Sequence, residues 1–295
     1  MYIDVLDRAK PFIYRNARPL DMARFSYLFE GGNKKDVVEC LKVYKNEDGG
    51  FGHGLEPDCL NELSTPLQTW VATEIIKEIE DDSLVKDILV YLDNCPYFDG
   101  NLFSGLNNVK ENDYYPHGEW WSYSKDKEDS YNPSAALFGF MYKYKKDDVS
   151  KSYVLKAIKY FKEHYPLSSM HEVSCFVELA EYIRGSEIED EEFNLLLSKQ
   201  IGMMIEYDTS KWESEYVCKP SQFIKSKDSI VYKGNEDIAM FECSFIEKSQ
   251  KEDGTFTVNW AWENYPEEWI ISRNWWKSDL IIKNLKFLKN MEKAV

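Results

Sequence analysis

The chain has 295 residues, with 36 Lys plus Arg against 52 Asp plus Glu and a formal net charge of −16. That length suffices for one large domain or two modest ones, and a content of 43% hydrophobic and 15% aromatic residues excludes a disordered chain. The acidic balance argues against nucleic acid or an anionic membrane as the main partner, and no stretch approaches the roughly 18 apolar residues of a membrane span.

The opening residues Met1 to Asp7 are amphipathic and acidic, unlike a secretory leader. Six cysteines (Cys40, Cys59, Cys95, Cys175, Cys218, Cys243) are scattered without a CxxC pair, and read as reduced thiols. A cytoplasmic location is therefore expected.

Apolar residues at helical spacing dominate the chain. They predict helices over 3–16, 19–29 and 34–45, then one whose face carries Leu67, Val71, Ile75 and Ile79. Further helices are predicted over 83–94, 133–145, 151–164, 169–184, 190–205 and 236–250, with a last one through Leu280, Leu285 and Leu288. Ser64-Thr65-Pro66 and Asn132-Pro133-Ser134 each set a capping side chain before a proline in the first turn. No alternating run supports a sheet, so the fold class is all-α, a single domain over 1–295.

Long linkers are predicted near 46–64, 95–131 and 251–274, and short ones near 80–83, 146–150 and 185–189. Linkers beyond about 15 residues are usually functional. A repeat marks the long ones: Asp48-Gly49-Gly50-Phe51, Asp99-Gly100-Asn101-Leu102-Phe103 and Asp253-Gly254-Thr255-Phe256, with a weaker echo at Tyr207-Asp208 to Trp212. Each predicts a helix end, a glycine of positive φ, and an aromatic ring tucked under the turn.

Leu41-x-x-x-Lys45-Asn46-Glu47-Asp48-Gly49-Gly50-Phe51-Gly52 and Ile246-x-x-x-Gln250-Lys251-Glu252-Asp253-Gly254-Thr255-Phe256 resemble the repeats of the terpenoid cyclase and protein prenyltransferase superfamily. The string from Asp48 to Asp58 resembles an uncharacterised bacterial, prenyltransferase-like branch. The resemblance implies an α/α toroid of about five to six helical hairpins, with inner helices around a central cavity and a site at one end. It implies a small apolar or isoprenoid-type substrate as ligand. The Asp-x-Asp-Asp and Asp-Asp-x-x-Asp motifs of that superfamily are absent, and Asp58-Cys59 departs from its zinc-ligand spacing. No resident cofactor is expected, zinc or Mg²⁺ being the alternative.

Glu56-Pro57-Asp58 is the sharpest local candidate for acid–base work, because the proline stiffens a loop that holds two carboxylates. The plainer alternative caps a helix with Asp58 and pairs Glu56 with Arg15, Arg18 or Arg24. His53, His117 and His171 each stand near a carboxylate, the last two beside Glu119 and Glu172. Imidazole with such a partner suits proton transfer near neutral pH. Trp120, Trp121, Trp260, Trp262, Trp269 and Trp276, with Asn132, are the candidate substrate-binding residues, since tryptophans set in linkers suit the wall of a cavity. An aromatic, acidic cavity is also compatible with a carbohydrate-active (α/α)6 enzyme, or with a binding scaffold lacking chemistry.

Overall fold

The computed structural model describes residues 2–127 and 129–292. Among them are eleven α-helices and no strand longer than an isolated bridge. They are α1 (Tyr2–Asn16), α2 (Pro19–Glu30), α3 (Lys34–Lys42), α4 (Pro66–Glu78), α5 (Val85–Asp93), α6 (Tyr131–Lys145), α7 (Asp148–His164), α8 (Met170–Ile183), α9 (Glu191–Met204), α10 (Glu236–Ser249) and α11 (Pro266–Glu292). No described helix is long and apolar enough to cross a membrane.

The chain divides into two compact units, one of residues 44–204 and one combining 2–43 with 205–292. In the central unit α4, α6 and α8 stand side by side, and α5, α7 and α9 each pack behind the helix that precedes them. Helix α6 is buried almost all round, from Pro133 to Tyr142. Its small residues Ser134, Ala135, Ala136 and Gly139 leave room for both neighbours. At Gly139 a Cβ would sit 3.0 Å from the Leu179 Cα and 2.9 Å from the Tyr182 ring. Glycine inside a helix costs about 1 kcal/mol relative to alanine. Here that cost is offset by letting α8 lie directly against α6.

In the terminal unit α11 packs against α1, α2 and α10. A buried charge network ties α2 to α11: Arg18 donates to Asp21 at 2.7 Å, and Arg24 donates to Asp21 at 3.4 Å and to Asp279 at 3.1 Å. Lys283 closes on Asp279 at 2.7 Å. These cations hold the Asp279 carboxyl well below the usual range despite its burial.

The predicted cap at Thr65 forms, its hydroxyl accepting the Gln68 N–H at 3.2 Å. Helix α6 starts two residues before Pro133, with Ser130 as its cap. The main correction falls at the end of the chain. Helix α11 starts at Pro266, so the linker predicted to run to 274 ends at Tyr265. Trp269, Trp275 and Trp276 are therefore helical, as is Trp70, so four of the nine tryptophans lie outside linkers. A proline with two glutamates in the first turn signals this start.

The Asp-Gly turns form as their composition dictates. Asn46 N–H bonds to Gly50 O at 2.9 Å and Gly49 N–H to Asn46 O at 3.1 Å; Lys251 to Thr255 and Gly254 to Lys251 do the same, each at 2.9 Å. Phe51, Phe103 and Phe256 are buried beneath their turns. Gly49 and Gly254 have φ of 90° and 83°, and a Cβ on either would meet a helix carbonyl, Asp87 O at 2.2 Å or Arg8 O at 2.1 Å. Gly100 has φ of 94° but open space around it. Gly100→Ala should thus lose about 1 kcal/mol for the backbone alone. Gly49→Ala and Gly254→Ala should lose about 1–3 kcal/mol more, because a helix must shift. Denaturant melts that rank all three alike would refute this account of the turns.

Candidate functional site

Helix α4 presents Trp70, Glu74 and Lys77 at spacings of four and three residues, so the three share one face. Helix α8 presents Glu178 and, one turn on, Tyr182. The faces meet within the central unit: Trp70 Nε1 donates to Glu178 Oε2 at 3.0 Å, and Glu178 also hydrogen-bonds the Glu74 side chain. Lys77 Nζ lies 4.6 Å from the centre of the Tyr182 ring, and Lys143 of α6 lies 5.7 Å from it. Along the helices the column reads tryptophan, carboxyl pair, then tyrosine between two lysines.

Glu178 is buried, and burial pushes its carboxyl well above the ordinary value, with the Glu74 charge acting in the same sense. Lys77 and the Trp70 donor oppose this without reversing it. One carboxylic acid hydrogen-bonded to one carboxylate is the state such a pair adopts, since two like charges in contact cannot both ionise in an apolar setting. Burial and the same two carboxylates push the Tyr182 phenol up, so it stays protonated. Cys175, wholly buried one turn before Glu178, is pushed up as well.

Three other buried acids have structural partners instead. Glu172 accepts the Tyr131 N–H at 2.9 Å and caps α6. Glu242 accepts both the N–H and the O–H of Ser221, at 2.7 and 2.6 Å. Asp279 belongs to the arginine network. Only Glu178 among these four is set against another carboxyl group.

Trp70 also packs on an apolar cluster of Cys59, Leu67 and Trp121, flanked by Trp120 and Leu106. The loops that supply it are stitched together: Leu60 N–H bonds to Pro116 O at 3.0 Å and Gly118 N–H to Asp58 O at 2.9 Å, with Cys59 bridged to His117. The two long linkers thus bring together Asp58, His117, Trp120 and Trp121, and Trp70 joins that group to the carboxyl pair. Burial pushes the Cys59 thiol up to about 12.

The remaining candidates are placed as follows. Glu56 is half-buried in the first loop and Asp58 is buried; α4 is capped by Thr65, so Asp58 does not cap it. His53 is exposed, has φ of 58°, and bonds Asn46 Oδ1 at 2.8 Å. His117 is buried, its Nδ1 2.6 Å from Tyr115 O and its Nε2 3.1 Å from Ser122 Oγ. A carbonyl only accepts, so Nδ1 carries a proton, and the ring braces the loop between Tyr115 and Ser122. Glu119 is half-buried, and His171 is exposed in the first turn of α8. Asn132 Oδ1 lies 3.5 Å from the Cys175 thiol.

Within the terminal unit, Trp260 meets Trp276 edge-on at 5.1 Å and Tyr216 at 5.6 Å, while Trp262 packs on Trp269 at 5.6 Å. No group of three metal-ligating side chains occurs among the described residues. The carboxyl pair lies on helix faces, outside the linkers that hold most of the candidates read from the sequence. Its signal was present as a glutamate in the apolar run Cys175-Phe176-Val177-Glu178-Leu179-Ala180, without a cation one turn away on either side.

No protein-family model, curated protein or solved structure matches the chain.

The raised Glu178 carboxyl has a consequence for stability. Between its ordinary value of 4.5 and its higher folded value, the folded state holds a proton that the unfolded chain releases. Stability contributed by this group is therefore full at low pH and is lost as pH rises through that window. Glu178→Gln keeps the shape without titrating. It should gain on the wild type from pH 5 upward, by at most about 1.4 kcal/mol per pH unit. Parallel stability–pH curves for the two proteins would refute the assignment.

Proposed function

We propose that the chain is an acid–base enzyme of the α/α-toroid type, acting on a small, largely apolar, isoprenoid-type molecule. The observation that carries this reading is the buried Glu178 carboxyl, which accepts the Trp70 indole N–H at 3.0 Å and is set against the Glu74 side chain, burial raising it well above its ordinary value. A carboxyl group that burial keeps protonated near neutral pH is available as a general acid to a neutral substrate. In the proposed cycle Glu178 protonates the substrate, and the pair, left with two negative charges, draws the proton back as product forms. The face of Trp70, with Trp120 and Trp121 behind it, would stabilise developing positive charge. Asp58, Glu56 and Glu119 belong to the loops on the Trp70 side of this arrangement.

The row of α4, α6 and α8, each with a second helix packed behind it, supports an arc of such a toroid. Six free cysteines support a reducing, cytoplasmic setting. No metal or organic cofactor is required by proton transfer between carboxyl groups.

The carbohydrate-active reading is less favoured. Glycosidase carboxyl groups stand about 5–5.5 Å or about 6.5–9.5 Å apart, with room for sugar or water between them. Glu74 and Glu178 are in hydrogen-bond contact.

A panel of isoprenoid alcohols, isoprenoid hydrocarbons and neutral oligosaccharides, read by thermal shift and product mass spectrometry, tests the proposal. Isoprenoids should raise the melting temperature and turn over. Glu178→Gln should keep the shift and lose about 10²–10⁴-fold in rate. Turnover by Glu178→Gln at the wild-type rate, or a shift given by oligosaccharides alone, would overturn it.

A further inference from the structure

A cavity of about 470 Å³ opens in the terminal unit, between the first turns of α10 and the segment 207–209. Tyr207, Ile238 and Phe241 give it an apolar wall, and Tyr207 and Phe241 are 56% and 48% exposed. This wall is held from behind. Trp212 is buried, meets the Phe241 ring edge-on at 5.8 Å, and donates its indole N–H to Glu206 O at 2.7 Å. Glu206 N–H in turn bonds to Cys218 O at 2.9 Å. The two rings thus stand on fixed supports while their outer faces meet water. Apolar surface rimmed by polar groups and left bare in this way marks a place of contact.

The charges around the cavity select what fits it. Glu236 and Asp237 line it, and no Lys or Arg does. Glu236 accepts the Gly234 N–H at 2.7 Å, whereas Asp237 has no hydrogen bond or ion pair among the described residues. Lys211, in the neighbouring loop, is held by Glu206 at 3.2 Å, and Lys233 precedes α10 without lining the cavity. The helix dipole accounts for acids in the first turn of α10, but not for the rings left bare beside them. An anion would be repelled here, and a plain hydrocarbon would make no use of the carboxylates. Lys and Arg match both features, since the apolar stem lies along the rings while the cationic head reaches the acids. Two separate rings leave room for an apolar neighbour beside that stem, which the next side chains of a peptide supply.

We infer that this groove docks a basic segment of a partner protein, one that sets Lys or Arg beside an apolar side chain. The probes are labelled six-residue peptides: leucine alternating with lysine, leucine alternating with glutamate, and lysine alone. Each is titrated into the whole chain and followed by fluorescence anisotropy. The leucine–lysine peptide should bind and the leucine–glutamate peptide should not. Lysine alone should bind about fivefold more weakly, for want of the apolar contact. Asp237→Lys should weaken the leucine–lysine peptide about five- to tenfold, and Phe241→Ala about tenfold. Both positions are exposed, so both variants should melt within about 2 °C of the wild type. Glu191→Lys makes the same change of sign in the exposed first turn of α9 and should leave affinity within about twofold. That control separates local contact from the net charge of −16. Equal binding of the two leucine peptides, no binding by any peptide, undiminished affinity in Asp237→Lys or Phe241→Ala, or equal weakening by Glu191→Lys overturns the inference. Hexylammonium binding as tightly as the peptide would assign the groove to a small cation, and self-association lost in Phe241→Ala would assign it to a second copy of the chain. Either result also overturns the inference.

Discussion

Everything proposed for the central unit depends on how closely α8 lies against α6. Gly139 removes the one side chain that would hold the two apart, and Ser134, Ala135 and Ala136 keep the rest of the α6 surface low. A helix buried on all sides has no polar face to turn toward water, so whatever α8 sends past it enters a dry setting. Glu178 is carried there by its own helix, and α4 meets it with Trp70 and Glu74. The raised carboxyl is thus a product of backbone packing. Widening the α6–α8 contact by one methyl group would bring solvent toward Glu178 and lower its carboxyl toward the ordinary value.

The terminal unit handles buried charge in the opposite way. Arg18, Arg24 and Lys283 are distributed over Asp21 and Asp279 so that each carboxylate faces a cation, and Arg18 also stacks on Trp275 at 5.3 Å. Buried opposite charges in good geometry fix the register of two helices. Like charges in contact store a proton instead. The same residue types therefore hold α2 to α11 in one unit and set two carboxyl groups against each other in the other.

The helices were legible in the sequence, because amphipathic spacing and cap residues are local signals. Thr65 before Pro66 is one case, and the glycine turns at 49 and 254 are another. The start of α11 was hidden by its own tryptophans: Trp269, Trp275 and Trp276 look like linker residues when rings are counted without regard to helical phase. The meeting of Glu74 with Glu178 was out of reach, since the two are far apart in sequence and nothing in either helix specifies the other. The loop candidates fared unevenly. Trp120 and Trp121 do join one cluster with Trp70, and His117 is bridged to Cys59 of that cluster, through main-chain bonds between residues 58–60 and 116–118 that local sequence patterns do not announce. His53, a candidate for its nearness to Glu56 and Asp58, occupies an exposed left-handed turn position.

The turns around Gly49 and Gly254 share more than composition. Residues 46–51 and 251–256 repeat the same main-chain bonds, the same aspartate oxygen accepting the N–H two residues on, and the same glycine set against a helix carbonyl. Asp48, Gly49 and Phe51 have counterparts in Asp253, Gly254 and Phe256 that face the same physical demand, whereas Gly50, crowded by Ser64 and Tyr91, answers to Thr255. A table of tolerated residues compiled for either hexapeptide should then serve as a first draft for its twin. Where the two tables disagree, the disagreement isolates what each unit adds to a shared local design.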